Sequence, residues 1–290
     1  MSDDAIRGQS PGQNGPLSIV RGVSPAGVSP AGASPANNGQ RTAAKEDPES
    51  LSPSLLWPTK TAASYELKFA LPPVQAEQVE AWARQHLALD PHADAALGNA
   101  YLIRSVYFDT PRLDVYHQAP SYKRRKYRLR RYGTERGVFL ERKAKSGDRV
   151  AKRRTLICDE ELSRFLDAVA DPAWPGGWFQ RRLLVKQLTP RCVLSYQRIA
   201  HVGMSVEGPI RLTLDRHIHC ALAETHDFQL TTSSIPLLSD VVILELKFRA
   251  AMPALFKGLI QEMGLNPAGM SKYRAGIQAW GLAPSAREVG

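Results

Sequence analysis

The chain has 290 residues, of which 43% are hydrophobic, so it is long enough for one large domain or two small ones. No stretch approaches the roughly 20 consecutive apolar residues of a membrane helix, and the acidic start Met-Ser-Asp-Asp does not resemble a secretory signal. The net charge of +10 favours polyanionic partners such as phosphate chains, nucleic acid or anionic lipid.

The cysteine content indicates a reducing compartment. Cys158, Cys192 and Cys220 lie far apart in the sequence. An odd number without metal-type spacing is typical neither of a disulfide framework nor of a zinc site. We therefore expect buried free thiols and a cytoplasmic location.

Residues 1–58 are predicted to be a disordered tail rich in Pro, Gly, Ser and Ala. Residues 23–37 contain a degenerate five-residue repeat, VSPAG-VSPAG-ASPAN. This composition has almost no aliphatic bulk to bury, so ordering it would cost conformational entropy with nothing to offset that cost. The folded domain is predicted over residues 59–284, with a flexible C-terminus at 285–290.

From residue 59 the pattern changes to short alternating segments separated by turns, which indicates β-strands. The predicted strands cover residues 63–70, 101–108, 126–132, 137–145, 152–158, 191–199, 209–216 and 241–248. Amphipathic helices are predicted over residues 75–89, 159–170, 253–263 and 269–281. Because strands dominate and helices lie between them, we expect an α+β domain built around an antiparallel sheet or barrel.

Six of the predicted strands carry charged residues on one face, because residues two apart in a strand point to the same side. In most of these strands the other face is apolar. The sets are Glu66 with Lys68, Arg128 with Arg130, Glu141 with Lys143 and Lys145, Tyr196 with Arg198, Arg211 with Thr213 and Asp215, and Glu245 with Lys247. Residues 123–154 alone hold fifteen Lys or Arg against three acidic residues, so the positive charge is concentrated on part of these faces.

Two interpretations of the charged faces stay open on this pattern alone. In an open sheet, the charged faces would be solvated and the apolar faces buried. If the sheet closes and the helices cover its apolar outside, the charged faces line an interior. Such an interior must be wet and must hold anions, because unpaired buried charge is very costly.

Seven short segments also carry a resemblance to a known family. They are YELKF (65–69), SVYFDT (105–110), YRLRRYG (127–133), FLERK (139–143), RLTLD (211–215), ILELKF (243–248) and MSKYRAGI (270–277). Across about residues 60–282 their order resembles the VTC domain, the catalytic domain of vacuolar transporter chaperone polyphosphate polymerases. The resemblance implies the fold of the triphosphate tunnel metalloenzymes, a closed antiparallel eight-stranded β-barrel with helices packed outside.

The same resemblance implies a set of site residues. The phosphate ligands would be Lys68, Arg128, Arg130, Lys143, Arg211, Lys247 and Lys272. Apart from the resemblance, Lys152, Arg153 and Arg198 are weaker candidates for substrate binding. The basic runs at 123–126 and 152–154 are interpreted either as loop or tunnel-mouth charge that draws substrate in, or as an ordinary solvated basic face. Glu245 would hold Mn²⁺ or Mg²⁺, since hard cations take oxygen ligands. Glu66 and Glu141 are weaker metal candidates, and pairing with a neighbouring Lys or Arg is the alternative for each. Arginine suits the role assigned to it because its planar fork of donors matches phosphate oxygens.

The implied partners are ATP and inorganic polyphosphate or triphosphate. The implied activity is a polyphosphate polymerase that transfers the γ-phosphate of ATP to a growing chain. A metal-dependent triphosphatase or polyphosphatase in the same tunnel is one alternative, and a non-catalytic binder of polyphosphate or RNA is another. Hydrolytic tunnel enzymes carry Glu-x-Glu-x-Lys on the first strand, whereas this chain has Ser64 in place of the first glutamate, which favours transfer.

Specific nucleic-acid binding is not expected, because it calls for stacking aromatic residues among the basic ones. Tyr127 should point away from the face that carries Arg128 and Arg130. Trp174 and Trp178 are interpreted as packing residues.

Overall fold

The computed structural model describes residues 64–146, 149–231 and 233–283. Within these ranges, ten strands form one antiparallel sheet. The strands are β1 Ser64–Leu71, β2 Ala88–Leu89, β3 Ala100–Asp109, β4 Arg125–Tyr132, β5 Gly137–Ser146, β6 Arg149–Cys158, β7 Thr189–Ser205, β8 Gly208–Leu222, β9 Ile235–Leu237 and β10 Val242–Phe248. The predicted tails at 1–58 and 285–290 and the predicted domain limits at 59 and 284 lie outside the described residues.

Eight of these strands close into a barrel. Hydrogen bonds join them in the order β7, β3, β4, β5, β6, β1, β10 and β8, and β8 pairs again with β7. The short strands β2 and β9 extend β7 and β8 at the margin. The eight barrel strands are the eight predicted from sequence alternation, so the closed antiparallel barrel is confirmed and the open sheet is excluded.

Five α-helices accompany the barrel in the described part of the chain. They are α1 Pro73–His86, α2 Asp114–His117, α3 Gly177–Val185, α4 Ala254–Glu262 and α5 Lys272–Ala279. The predicted helices at 75–89, 253–263 and 269–281 correspond to α1, α4 and α5. The helix predicted at 159–170 is wrong in type and extent, because Asp159–Leu166 is a 3₁₀ helix. Helix α3 was not predicted, because it begins at Gly177, at the end of the Pro- and Gly-rich stretch 171–177 that resembles a turn.

The apolar faces of the strands pack outward under the helices. One core joins Phe69, Leu212 and Leu244 of the barrel to Val79 of α1 and Phe256 of α4. A second, larger core lies on the other side of the barrel and includes Phe179 of α3 and Ile277 of α5. Burial of these faces leaves the polar strand faces pointing into the barrel.

Helix α5 is fixed to β3 through a buried carboxylate. Asp109 accepts a 2.5 Å hydrogen bond from the Tyr273 hydroxyl and further bonds from the backbone N–H groups of Thr110, Val115 and Tyr116. These bonds satisfy a carboxylate that is fully buried, which is the condition for keeping such a group in a core. They also set the position of the first turn of α5 against the barrel.

The environments of the cysteines differ from one another. Cys192 and Cys220 are buried free thiols as expected, whereas Cys158 is exposed. The expectation of burial is wrong for Cys158 because it is the last residue of β6, where the strand leaves the barrel.

No helix in residues 64–146, 149–231 and 233–283 has both the length and the apolar character needed to cross a membrane.

Candidate functional site

The barrel encloses a cavity of about 330 Å³ whose wall consists of the charged strand faces. Among the described residues, eleven Lys or Arg side chains line it against three glutamates. The cationic lining consists of Lys68, Lys126, Arg128, Arg130, Lys143, Lys152, Arg154, Arg198, Arg211, Lys247 and Lys272. The structure thus brings together all seven residues for which the resemblance implied phosphate binding, in a tunnel with a strong positive potential.

Three lysines lie in one row across adjacent strands. Lys126 of β4 is directly opposite Lys143 of β5, which is directly opposite Lys152 of β6. Like charges in such positions destabilise a sheet. Burial lowers the pKa of Lys126 well below its usual value, and the nearby Lys68 and Lys143 lower it further. Lys126 Nζ donates to the Ser271 hydroxyl at 2.7 Å, a neutral partner that does not counter this lowering of the pKa.

Arg130 is a cation whose hydrogen-bond partners are neutral. Its side chain is only 4% exposed and donates to the Ser105 hydroxyl at 3.1 Å and the Tyr196 hydroxyl at 2.9 Å. No carboxylate among the described residues forms an ion pair with Arg130. A buried cation without a counter-ion is costly, so the site gains free energy when an anion enters.

Glu141 is a counter-ion built into the wall. The carboxylate contacts Arg128 Nη2 at 2.6 Å, Arg154 Nε at 3.1 Å and Lys152 Nζ, and it is 1% exposed. Burial raises the pKa of Glu141, but these three cations lower it more, to well below its usual value. The structure therefore favours ion pairing over the metal role that was the weaker expectation for Glu141.

Asp215 fixes two further cations in the same way. It accepts a bidentate pair of bonds from Arg198 at 2.6 and 2.8 Å and a 2.5 Å bond from Lys272 at the start of α5. Burial raises the pKa of Asp215, whereas Arg198 and Lys272 bring it down to about 2. Arg211 is held similarly by Asp90, with Arg211 Nη2 2.7 Å from Asp90 Oδ2. These side chains are thus held in place before any ligand binds.

Glu66 and Glu245 are the carboxylates that face the tunnel on β1 and β10. The two strands pair so that Glu66 lies opposite Lys247, and Lys68 lies opposite Glu245. Glu245 contacts Lys68 Nζ at 3.2 Å, and Glu66 pairs with Lys143. Burial raises the pKa of Glu245, but Lys68 and Lys143 lower it to well below its usual value, so the carboxylate is ionised at neutral pH.

The tunnel acids suit a metal shared with a ligand. In residues 64–146, 149–231 and 233–283, no group of three or more His, Cys, Asp or Glu side chains could hold a metal ion. Mg²⁺ in particular is usually bound by one or two carboxylates together with water and substrate phosphates. Glu245 and Glu66 are therefore a suitable donor pair only when phosphate oxygens complete the coordination.

The basic runs at 123–126 and 152–154 are divided between the tunnel and the outside of the barrel. Lys126, Lys152 and Arg154 line the tunnel. Arg153 lies outside, with its guanidinium 4.1 Å from the centre of the Trp178 ring. The expected substrate contact of Arg153 is therefore wrong, because its side chain has the opposite parity to Lys152 and Arg154.

The tryptophans pack as expected. Trp174 donates to Glu161 at 2.6 Å and Trp178 to Thr155 at 2.9 Å. Their indole N–H groups thus have local partners in the outer layer.

Comparison with known proteins agrees with the resemblance seen in the sequence. The chain matches the family model of the VTC domain over residues 63–281. No curated protein matches it. Among solved structures, a candidate adenylate cyclase from Bacillus halodurans is 15% identical, with a TM-score of 0.48, over 76% of this chain and 97% of that one. A candidate adenylyl cyclase from Hippeastrum, described as having a dominant triphosphatase activity, is 18% identical, with a TM-score of 0.43, over 78% of this chain and 99% of that one. At TM-scores below 0.5, neither likeness bears on the function of this chain.

The unpaired charge of Arg130 leads to a prediction for anion affinity. Arg130→Ala should weaken tripolyphosphate binding by about 1.5–3 kcal/mol, the usual contribution of a hydrogen bond to a charged group. Arg153→Ala is the matched control, because it removes an arginine from the outer face and should leave the Kd unchanged. Isothermal titration calorimetry on the three proteins measures both effects. Equal losses in the two variants would mean that general surface charge, not the tunnel, binds the anion.

A second prediction concerns pH. Burial raises the pKa of Tyr132, but Arg154 and Arg130 lower it more, to about 7. Above that pH the phenolate adds negative charge to the tunnel, so tripolyphosphate binding should weaken as the pH rises from about 6 to 8. Tyr132→Phe should show a smaller decline, and the titration of the ligand affects both proteins alike. Identical pH profiles for the two proteins would exclude this role for Tyr132.

Proposed function

The chain belongs to the VTC domain family, and on that premise we propose that it is a polyphosphate polymerase that transfers the γ-phosphoryl group of ATP to a growing polyphosphate chain. The observation that carries the proposal is a buried cation in a closed tunnel, Arg130, whose hydrogen-bond partners are neutral hydroxyls. Only an anion inside the tunnel offsets that charge, and a chain of phosphates offers one anionic group after another along its length.

The tunnel suits phosphoryl transfer because that reaction depends mainly on positioning and charge neutralisation. The terminal oxygen of the acceptor chain forms a bond to the γ-phosphorus, the bond from that phosphorus to the β–γ bridging oxygen breaks, and ADP leaves. The acceptor oxygen is already anionic, so no general base is needed. Arg128 and Arg130 project from alternate positions of β4 and can hold neighbouring phosphates, while Lys143 and Lys247 offset the repulsion between donor and acceptor.

A divalent cation, Mn²⁺ or Mg²⁺, fits the proposed reaction. Glu245 and Glu66 would hold it together with phosphate oxygens, and when bound it would neutralise charge on the transferred group. Lys68 and Lys143, which pair with these carboxylates, would then be available to bind phosphate oxygens.

Transfer is favoured over hydrolysis by the residue at position 64. Ser64 is 2% exposed and lines the tunnel two positions before Glu66 on β1. A hydroxyl is a weaker ligand for a hard cation than a carboxylate, so a second metal that activates water would be poorly held. A phosphate acceptor needs no such metal.

The expected cytoplasmic location is part of the same proposal. It is supported by the three free cysteines, which suit a reducing compartment, and by the use of ATP as donor.

The proposed reaction predicts its products. Purified protein with ATP and Mn²⁺ should yield ADP and long-chain polyphosphate, while hydrolysis of tripolyphosphate should be slow. A time course that follows ADP, orthophosphate and stained polymer on a gel measures all three. Rapid release of orthophosphate with no polymer at any time would leave the triphosphatase, and binding without turnover would leave the non-catalytic binder.

The metal role of Glu245 predicts a separation of binding from turnover. Glu245→Gln should abolish metal-dependent turnover, because the amide is a poor ligand for a divalent cation, and should leave tripolyphosphate binding in the presence of a chelator largely intact. Glu160→Gln is the control, since Glu160 lies on the surface with its side chain 68% exposed. Unchanged turnover in Glu245→Gln would remove the metal role from this residue.

A further inference from the structure

Helix α3 lies on the outside of the barrel and carries apolar side chains on its exposed face. Val185 is 70% exposed and Leu184 is 40% exposed. Two more apolar side chains, Leu166 and Val169, are each 79% exposed in the stretch 166–171. Apolar side chains that lie together on a surface mark a site of interaction, so the positions of these residues relative to one another decide whether α3 is such a site.

One flank of α3 is acidic. The Gln180 amide donates to the backbone carbonyls of Arg164 at 2.6 Å and Asp167 at 3.3 Å, so the stretch 166–171 lies against this side of the helix. The stretch carries two exposed carboxylates, Asp167 and Asp171. Arg164 pairs with Asp171 at 3.4 Å, which leaves the flank with a net negative charge.

The opposite flank of α3 is basic. Trp178 precedes Gln180 by two positions and so points to the other side of the helix, where the Arg153 guanidinium of β6 lies 4.1 Å from the centre of its ring. Arg182, four residues after Trp178, shares this side. Arg153 is directly opposite Arg142 of β5, and like charges in such positions destabilise a sheet.

The three arginines of the basic flank repel one another. Burial lowers the pKa of Arg153, and the nearby Arg142 and Arg182 lower it further. In the part of the chain that the structure describes, no carboxylate forms an ion pair with any of the three. A negatively charged surface placed against this flank would therefore stabilise the protein.

The surface is complementary to itself. It consists, in order, of the acidic flank, the apolar ridge of Leu184 and Val185, and the basic flank. If a second copy is related by a two-fold axis that runs along the ridge, the acidic flank of each copy faces the basic flank of the other, and the two ridges meet at the axis. An anionic membrane or a free polyanion would instead be repelled by the acidic flank.

We propose that α3 and its two flanks form the interface of a homodimer with two-fold symmetry, an inference that does not depend on the proposed function. Arg142, Arg153 and Arg182 of each copy then face Asp167 and Asp171 of the other. Because a stable dimer buries about 800 Å² on each partner, a helix of nine residues is too small by itself, and both flanks take part. None of these residues lines the tunnel.

The test reverses the charge of each flank in turn. Arg153→Glu/Arg182→Glu makes both flanks acidic, and Asp167→Lys/Asp171→Lys makes both flanks basic. In sedimentation velocity, the Kd of each variant for its own dimer should rise roughly tenfold or more, because like charges then face each other across the interface. When the two variants are mixed in equal amounts, a heterodimer should form, since every pair of facing flanks again has opposite charges.

A second pair of variants tests the apolar ridge. Val185→Glu places two carboxylates near the axis and should weaken the dimer. Val206→Glu is the matched control and should leave the dimer unchanged, because Val206 is fully exposed in the turn between β7 and β8. A cooperative thermal melt close to that of the unmodified protein shows that each variant is folded.

Three results would overturn the proposal. The first is an unmodified protein that stays monomeric over the whole range of concentrations, which would assign the surface to a different partner. The second is a set of folded charge variants that dimerise as the unmodified protein does. The third is a mixture of the two charge variants that contains no heterodimer.

Discussion

The architecture of this protein depends on how buried positive charge is balanced inside a closed barrel. Taking an ion out of water costs several kcal/mol unless partners replace the lost solvation. The walls meet this requirement with a few deeply placed carboxylates that each hold one or more cations. Glu141 holds three cations across β4, β5 and β6, and Asp215 holds Arg198 together with Lys272 of α5. These pairs orient the cations and determine which strands and helices must meet.

The balance of positive and negative charge is incomplete at one position of the tunnel wall. Arg130 has hydroxyl partners only, so the ligand-free barrel retains positive charge that an entering phosphate offsets. Because carboxylates already fix the neighbouring cations, ligand binding requires little ordering of side chains. Preorganised hydrogen-bond donors of this kind are also the basis of electrostatic catalysis. The same arrangement links stability to ligand: an anion that binds only the folded barrel stabilises it in proportion to its concentration over its Kd.

The alternation of polar and apolar residues accounts for most of what the sequence predicted about the fold. It found all eight barrel strands and, with the family resemblance, placed Lys68, Arg128 and Arg130 on inner faces. It failed where the decisive information is non-local. That Glu141 is a counter-ion follows from the register of β4, β5 and β6, which the sequence does not reveal. Strand alternation alone places Arg153 on the opposite face from Lys152 and Arg154. A run of consecutive basic residues is also typical of a solvated loop, so the sequence did not identify Lys126 as a tunnel residue.

The core and the tunnel are joined through a short series of contacts. The Tyr273 hydroxyl donates a hydrogen bond to Asp109. The Tyr273 ring stacks on the Tyr107 ring, with their centroids 5.3 Å apart. The Tyr107 hydroxyl in turn accepts from Arg128 at 2.9 Å. The residue before Tyr273 is Lys272, whose ammonium reaches into the tunnel. At the start of α5, Tyr273 thus packs in the core, and Lys272 completes the tunnel wall. Since the two side chains are adjacent in sequence, any shift of α5 that loosened the core contact would also move Lys272, so the site holds its geometry only while this part of the fold is intact.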